Sequence, residues 1–305
     1  MAPTENADIL EDTLRRNGDL LDILLIDKTT KKNIIWATDS YGHYGKEFAA
    51  HKQIKPELVT GRQYGKLIQP RAVKSREEQR QRTREKGEVF TPLKIVEQMN
   101  KLGDGISISE LNWQEYVAEL KLEIACGEAP FIISRYNPVE HGAVIKIESR
   151  VGFLDRKLQI VSKYCATPKE WLKWAKVAYQ SSYGYEWQGD NLLIARENLL
   201  YTFIDYYQDK FGKRPTLKEQ EKFAEIISWN IFQMDGLKYV VPMSCHHKSK
   251  IIRGALTLFG EIPEKVEKHE CEGCKYYRPN KHNGKYVKIM DWNKNKTVRF
   301  VDLIK

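Results

Sequence analysis

Residues 121–131, KLEIACGEAPF, combine an acidic residue with a turn of small residues. Glu123 lies at the end of an apolar, strand-like run, where its carboxylate can accept hydrogen bonds from an amine or a hydroxyl. Ala125, Cys126 and Gly127 follow, and a glycine can take a positive φ without steric cost, so the backbone can pass close to a ligand. This order of residue types suits a nucleoside-bearing cofactor. An ordinary strand-to-helix turn is the alternative, because short glycine motifs often match by chance.

Two clusters further along the chain carry residue types that bind metals. Cys245 lies in the first, CHH, and Cys271 and Cys274 lie in the second, HECEGC. Two cysteines separated by two residues can hold one tetrahedral zinc ion, so Cys245 and one histidine would complete a structural site like that of a small zinc ribbon. The histidines that could complete it are His247, which we take first, His269 and His282. A reduced loop without metal is the alternative, since only one cluster has a C-x-x-C.

Helices and strands must position these residues. Thr91 followed by Pro92 predicts a helix start with threonine as the N-cap, and apolar residues then recur on one face. A second Thr-Pro pair begins a predicted amphipathic helix over residues 166–181. Residues 132–165 are predicted to form strands and turns, and residues 285–304 a β-hairpin.

A nearly apolar-free segment precedes the first of these helices. Residues 71–86, RAVKSREEQRQRTREK, contain seven basic and three acidic residues. This composition is typical of a solvated helix with near-neighbour ion pairs, or of a segment that contacts phosphate groups. We favour the solvated helix, because Glu77, Glu78 and Glu85 reduce the positive field.

Two of these stretches together resemble a known family. GEVFTP at residues 87–92, followed by ACGEAPF at residues 125–131, is similar to the opening of the gamma-class N6-adenine DNA methyltransferases of restriction-modification systems. In that family a G-x-x-x-T-P element and an acidic-x-A-C-G-x-G-x-F element surround S-adenosylmethionine. By this resemblance the residues that flank the methionine end of the cofactor are Phe90, Thr91 and Pro92, and those of the main cofactor loop are Glu123, Ala125, Cys126 and Gly127. This chain departs from the family at Ile124, where proline is usual, and at Ala129, where a second glycine is usual.

A third element of the same family is a second cofactor strand ending in Gly-x-Glu, followed by a helix with an Ala-Arg-x-Asn-Leu signature. This chain has GYE at residues 184–186 and ARENL at residues 195–199. An acidic residue at the tip of a second strand can bind both ribose hydroxyls of a nucleoside, while an apolar neighbour lies against the adenine. The resemblance therefore assigns the ribose to Glu186 and the adenine to Trp187. The alternative is an exposed glutamate before a helix.

The resemblance also bears on the third strand and on catalysis. Asp235, with Met234 beside it, stands where family members have a third acidic residue near the adenine. The family's Asn/Asp-Pro-Pro-Tyr/Phe tetrapeptide, which contacts the extruded target adenine, does not occur here. The sequence ends about where the strand carrying that motif would begin. We therefore expect no catalytic residue in this chain, and a split enzyme in which a second methyltransferase subunit carries the motif.

Two other functions stay open. A degenerate methyltransferase fold without cofactor could act as a DNA-binding or scaffolding subunit, because the glycine loop is altered and the catalytic motif is absent. The chain alone could also methylate a substrate other than DNA.

The composition of the 305 residues limits the class of protein. With 41% hydrophobic and 30% charged residues, the chain can bury a core and is not disordered. Its formal net charge of +9 favours a polyanionic partner, which the resemblance to DNA methyltransferases implies to be double-stranded DNA. The sequence has no signal peptide and no membrane span, which predicts a cytoplasmic protein. Its five cysteines favour metal binding or burial over disulfides.

These features predict an α/β protein in three parts. Residues 1–85 form an N-terminal extension. The resemblance implies that residues 86–240 form an incomplete, Rossmann-like, S-adenosylmethionine-dependent methyltransferase core. Residues 241–305 form a small zinc-ribbon-like insertion and a C-terminal β-hairpin. The expected ligands are S-adenosylmethionine and a structural zinc ion.

Overall fold

The computed structural model describes residues 11–89, 91–104, 112–137, 144–252, 256–257, 260–261 and 265–304. The helices in these ranges are α1 (Glu11–Arg16), α2 (Leu20–Leu25), α3 (Gly61–Tyr64), α4 (Arg76–Lys86), α5 (Leu93–Gly103), α6 (Trp113–Ala118), α7 (Phe153–Tyr164), α8 (Pro168–Gln180), α9 (Gly189–Phe211), α10 (Leu217–Asn230) and α11 (Glu272–Tyr276). The strands are β1 (Ile26–Asp27), β2 (Lys32–Asn33), β3 (Lys121–Ile124), β4 (Ser182–Glu186), β5 (Ile231–Gln233), β6 (Lys248–Ile252), β7 (Leu256–Thr257), β8 (Gly260–Glu261), β9 (Lys265–His269), β10 (Lys288–Asp291) and β11 (Lys296–Arg299).

A parallel sheet of three strands forms the centre of the fold, in the order β3-β4-β5. Its register pairs Glu123 with Gly184 and Glu186 with Gln233. Parallel neighbours need long crossovers, which here run through α7 and α8 and then through α9 and α10. The α/β class predicted from the sequence is therefore confirmed.

Helix α9 lies in the interior of the molecule. It is 23 residues long and buried along most of its length, because it carries apolar side chains on all sides. Phe203 of α9 stacks on Phe223 of α10 with ring centroids 3.8 Å apart. The guanidinium of Arg196, in the ARENL stretch, is buried and donates to the backbone oxygens of Leu24, Ile26 and Ile231. This arginine joins α9 to the N-terminal segment and to the sheet.

The N-terminal segment packs into the same hydrophobic core as the sheet. Leucines of α2 are fully buried in one cluster with apolar residues of α9 and α10. The side-chain amide of Gln233 in β5 pairs with both backbone groups of Ile35, at 2.9 and 2.8 Å. The predicted extension over residues 1–85, as far as it is described, therefore shares a continuous core with the rest of the fold.

Two local predictions need correction. Residues 153–164, predicted within a region of strands and turns, form the helix α7 instead. Its buried residues Leu154, Leu158 and Val161 recur at helical spacing, which was the signal in the sequence. Helix α5 begins at Leu93 with Pro92 as its N-cap, one residue later than the predicted start.

The C-terminal region packs against the far side of β5 through a second apolar cluster. Its buried members are Phe232, Met234, Val241, Val287, Ile289 and Phe300. Strands β10 and β11 pair antiparallel, which confirms the hairpin predicted over residues 285–304. Within the described ranges, every helix is too short or too polar to cross a lipid bilayer.

Candidate functional site

The acidic residues predicted at three strand ends lie along one edge of the parallel sheet. Glu123 is in β3, Glu186 is the last residue of β4, and Asp235 follows β5 by two residues. The N–H of Met234 donates to the backbone oxygen of Glu186 at 3.0 Å, which keeps the last two strand ends adjacent. Ligands of open α/β sheets bind outside this carboxyl edge.

The turn after β3 has a glycine-like backbone at three positions. Ala125, Gly127 and Ala129 have φ angles of 53°, 54° and 65°, in the left-handed region that favours glycine. The N–H of Ala129 donates to the backbone oxygen of Cys126 at 2.7 Å and closes the turn. The position where the methyltransferase family has a second glycine thus keeps a glycine-like conformation with alanine in place. A Cβ added at Gly127 would meet no atom within 4 Å, so open space lies beside this backbone.

Glu186 links this turn to the end of β4. Its Oε2 accepts the N–H of Gly127 at 2.9 Å, and its Oε1 accepts the N–H of Gln188 at 3.0 Å. The side chain is buried, and burial raises the pKa of the carboxyl above its usual value although both N–H bonds oppose the rise. Glu186 therefore has a fixed position, with part of its acceptor capacity already used.

Glu123 is turned toward the chain that follows the same turn. It accepts the N–H of Phe131 at 3.3 Å and that of Ile132 at 3.0 Å. Burial raises the pKa of Glu123 to about 8 despite these bonds. The carboxyl therefore keeps its proton to a higher pH than an exposed glutamate, and its contacts fix the segment after the turn.

The structure describes only two of the three residues predicted to flank the methionine end of the cofactor. Phe90 lies outside the described residues, Thr91 is half-buried and Pro92 is exposed. Helix α5, which follows, is tied to the segment after the turn because the Asn100 amide donates to the backbone oxygen of Phe131 at 2.9 Å. The GEVFTP element thus leads into a helix anchored beside the β3 turn.

The residues predicted near the adenine differ in exposure. The indole N–H of Trp187 donates to the backbone oxygen of Ala37 at 2.8 Å, and 37% of the residue is exposed. Asp235 accepts the N–H groups of Leu237 and Lys238 at 3.0 and 3.2 Å, so it caps the turn after β5. Met234 is fully buried in the second apolar cluster. Trp187 is therefore the most accessible of the three.

A buried polar network lies beside the same edge and was not predicted. We call it the Glu88 network, and its members are Tyr41, Arg82, Glu88, Gln188, Asp190 and Asn191. Arg82 donates to both oxygens of Glu88, at 2.8 and 2.6 Å. The amides of Gln188 and Asn191 donate to Oε1 of Glu88 at 3.1 and 3.2 Å. Four N–H bonds thus fix this one carboxylate.

The same network fixes a second carboxylate at the start of α9. Asp190 accepts Nη2 of Arg82 at 2.8 Å and the hydroxyl of Tyr41 at 2.9 Å. Burial opposes ionisation of Asp190, but Arg82 and Lys74 outweigh it and hold its pKa below the usual value. One side-chain oxygen each of Gln188, Asp190 and Asn191 is buried without a donor among the described residues. These oxygens can accept hydrogen bonds from a ligand or from water.

The sequence held one signal for this network. Residues 188–191, QGDN, are polar or small, whereas the helix they begin is otherwise largely apolar. Such polar groups at the start of a buried helix need partners inside the protein. Those partners, Arg82 and Glu88, lie about a hundred residues earlier in the chain, so local patterns could not identify them.

A separate cluster near the carboxyl terminus has the composition of a metal site. The ligand atoms of Cys245, Cys271, Cys274 and His282 all lie within 4.8 Å of one another. Nδ1 of His282 lies 3.6 Å from each of the three sulfur atoms. Zinc bonds of about 2.3 Å to sulfur and 2.1 Å to nitrogen in a tetrahedron would place these atoms about 3.6 Å apart. The group could therefore bind a metal ion such as zinc.

The fourth member of this group corrects the first choice made from the sequence. It is His282, whereas His247 accepts the N–H of Cys271 at 3.5 Å and lies outside the group. The turn Pro279–Lys281 brings His282 back against Gly273, where an added Cβ would lie only 2.6 Å from the imidazole. A glycine between the two cysteines is thus required for the ring to reach them. The side chain of His269 lies outside the described residues.

The surroundings of the thiols affect their ionisation in different directions. The N–H of Asn283 donates to Sγ of Cys271 at 3.3 Å, a bond that stabilises a thiolate. Burial opposes ionisation of Cys271, but N–H bonds from Asn283 and Cys274 hold its pKa below the usual value. Burial and the neighbouring thiols raise the pKa of Cys245 to about 12. Three thiolates can therefore coexist here only if a cation compensates their charge.

Comparisons with known proteins add no assignment to either site. The chain was compared with protein-family models, with curated proteins and with solved structures, and none of the three comparisons gave a match. The geometry of the sheet edge and of the Cys3His group is therefore the basis for assigning a function.

Proposed function

We propose that this chain is the S-adenosylmethionine-binding subunit of a DNA adenine-N6 methyltransferase, with the catalytic Asn-Pro-Pro-Tyr on a partner chain. The turn over residues 125–129 carries the proposal. It has three left-handed positions, open space beside Gly127, and a direct bond from Gly127 to the acidic residue at the next strand end. That combination allows a nucleoside to approach the backbone and find an acceptor for its ribose.

The cofactor would supply an electrophilic methyl group, and the residues of this chain would hold it. Glu186 would accept hydrogen bonds from the ribose hydroxyls, since a carboxylate has more lone pairs than its two N–H bonds occupy. The half-exposed ring of Trp187 would lie against the adenine, with Asp235 and Met234 nearby. Thr91 and its neighbours Phe90 and Pro92 would flank the methionine end.

The lateral edge of the sheet, which runs along β3, supports a partner that completes the fold. Among the described residues β3 pairs with β4 alone, so its other edge has unpaired backbone groups. Leu120, Leu122 and Ile124, on one face of this edge strand and the residue before it, are 67%, 44% and 69% exposed. An edge with exposed apolar side chains is a template for another strand. A second methyltransferase subunit that adds strands here would bring its catalytic motif next to the turn over residues 125–129.

The experiment combines cofactor binding with methylation. Calorimetric titration of the purified chain with S-adenosylmethionine is expected to show one site per chain. Co-expression with the product of the neighbouring gene is expected to give a complex that methylates adenine N6 in duplex DNA. Absence of cofactor binding by both the chain and the complex would exclude the proposal. Methylation of DNA by the chain alone would contradict the placement of the catalytic motif on a partner.

A cofactor-free scaffolding subunit is the second candidate function. One observation favours it: both Glu186 and Glu123 already accept two backbone N–H bonds each, so both serve to stabilise the turn. Crosslinking with labelled S-adenosylmethionine under ultraviolet light separates the candidates. A scaffold that binds DNA would take up no label, whereas the cofactor-binding subunit would be labelled.

A further inference from the structure

Helix α4 presents a row of three arginines to solvent. Arg76, Arg80 and Arg84 are each four residues apart and exposed, so they lie on one face at intervals of about 6 Å along the helix axis. None of them forms an ion pair with a described carboxylate. The near-neighbour ion pairs expected for a solvated helix are thus missing at these three positions. We call these three residues the arginine row.

The opposite face of α4 is fixed to the protein core. Arg82 is two residues from both Arg80 and Arg84, which places it about 200° around the helix from each of them. Its guanidinium binds Glu88 and Asp190, two buried members of the Glu88 network. The helix begins with a capping box in which Ser75 and Glu78 bind each other's backbone N–H. The arginine row is therefore held in a fixed orientation, although α4 has no apolar residue.

The acidic residues of α4 form no ion pair with the row, although Glu77 and Glu85 line one of the grooves beside it. Glu78 is engaged with Ser75 at the helix start, and Glu85 accepts the side-chain amide of Gln81 at 3.1 Å. Glu77 is exposed beside the row and is not ion-paired with it. Like charges four residues apart destabilise a helix by about 0.2 to 0.5 kcal/mol per pair. An unpaired row at this spacing therefore costs stability, which a polyanionic ligand would offset.

Shallow grooves run along both sides of the row. One has a volume of about 450 Å³ and the other about 560 Å³, and the three arginines line both. The remaining lining residues of the first groove are Arg71, Gln79 and Thr83. Guanidinium groups bind phosphate oxygens through paired N–H bonds, so a phosphate chain along the row would be contacted from the helix surface.

We propose that the arginine row binds the phosphate backbone of double-stranded DNA. Arg82, on the opposite face of α4, connects the helix that carries the row to Asp190, four residues after Glu186. The inference rests on the proposed function only for the identity of the polyanion as a DNA duplex.

The test compares two triple variants of the full chain with equal loss of charge. R76Q/R80Q/R84Q removes the arginine row. K169Q/K173Q/K176Q removes three exposed lysines from α8 and is the matched control. Fluorescence anisotropy with a short mixed-sequence DNA duplex gives the binding constant between about 50 and 200 mM NaCl. The slope of the logarithm of this constant against the logarithm of the salt concentration reports the number of phosphate contacts.

The arginine variant is expected to bind at least tenfold more weakly at low salt, with a salt slope smaller by about 2 to 3. The lysine variant is expected to keep the wild-type slope. Equal losses of DNA affinity in both variants would show that only net charge matters and would overturn the inference. A wild-type chain that binds no duplex would also overturn it. The single variant R80Q, expected to lower the slope by about 1, covers the case in which the triple variant fails to fold.

Cofactor titration of the same variants separates this inference from the proposed function. If the arginine variant loses DNA binding and keeps S-adenosylmethionine binding, both stand. If no variant and no wild-type chain binds the cofactor while DNA binding still depends on the row, the proposed function fails and the inference stands. If the cofactor binds and DNA binding does not depend on the row, only the inference fails.

Discussion

The backbone N–H of Gly127 donates a hydrogen bond to Oε2 of Glu186 at 2.9 Å, which joins the turn after β3 to the tip of β4. Gln188 donates to the other oxygen at 3.0 Å. A carboxylate offers about four lone-pair sites, so two remain for a ligand. Glu186 thus combines a fixed position with spare acceptor capacity, which a ribose ligand requires.

Glu186→Ala is expected to weaken S-adenosylmethionine binding by about ten- to a hundredfold. The loss corresponds to about 1.5 to 3 kcal/mol for hydrogen bonds to a charged group. The measurement is calorimetric titration, with the exposed Glu148→Ala as control. Because Glu186→Ala also leaves two N–H groups without an acceptor, Glu186→Gln serves as a milder second variant. Wild-type affinity in Glu186→Ala would exclude Glu186 as a cofactor ligand.

Ala125→Gly is expected to stabilise the protein by up to about 1 kcal/mol. Ala125 is exposed and has a φ of 53°, a conformation that an alanine adopts at a cost and a glycine adopts freely. The control is Ala118→Gly, which changes an exposed alanine in the last turn of α6. That change is expected to destabilise by up to about 0.5 kcal/mol, less than in a helix interior, because Ala118 is the last residue of α6. Urea unfolding measures both, and equal signs would contradict the conformational explanation.

The contribution of Glu123 to the stability of the protein is expected to fall as the pH rises from about 4.5 to 8. Its pKa moves from the ordinary 4.5 to about 8 on folding, so the folded state holds a proton that the unfolded chain releases in this range. The contribution is intact below pH 4.5 and lost above pH 8. Each pKa unit corresponds to about 1.4 kcal/mol, so the loss amounts to several kcal/mol.

Glu123→Gln tests this pH dependence, since the amide stays neutral at every pH. The free energy of unfolding of the variant, relative to that of the wild type, should increase steadily between pH 5 and pH 8. Glu148→Gln, at an exposed position, should show no such trend. A constant difference between Glu123→Gln and the wild type across this range would mean that Glu123 is already ionised in the folded protein.

Local sequence patterns were enough to predict part of the elements at the carboxyl ends of the strands. The strand end at Glu123, the small-residue turn and the hairpin near residue 290 follow from short-range propensities, whereas the strand end at Glu186 was expected from the family resemblance. The helix at residues 153–164 was missed because its apolar run was assigned to strands although its apolar spacing is helical.

Long-range pairings could not be predicted in the same way. His282 joins the thiols because the turn Pro279–Lys281 reverses the chain and Gly273 leaves room for the ring, and neither fact follows from ligand spacing alone. The contact between Arg82 and Asp190 spans 108 residues of sequence. Arg82 lies among six other basic residues between positions 71 and 86, so nothing local distinguishes the buried arginine from the exposed ones.

Gly273→Ala is expected to reduce zinc content from about one ion per chain to well below it. The new methyl group would lie 2.6 Å from the imidazole of His282 and would push this ligand away from the three sulfur atoms. Gly103→Ala is the matched control, because a Cβ at that position meets no atom within 4 Å. Zinc content is measured by mass spectrometry of the purified proteins. A chelator should lower the melting temperature of the wild type and of the control, but not that of Gly273→Ala. Full zinc content in Gly273→Ala would show that His282 is not a ligand, because a tetrahedral structural site with three sulfurs requires the fourth protein ligand to stay in place.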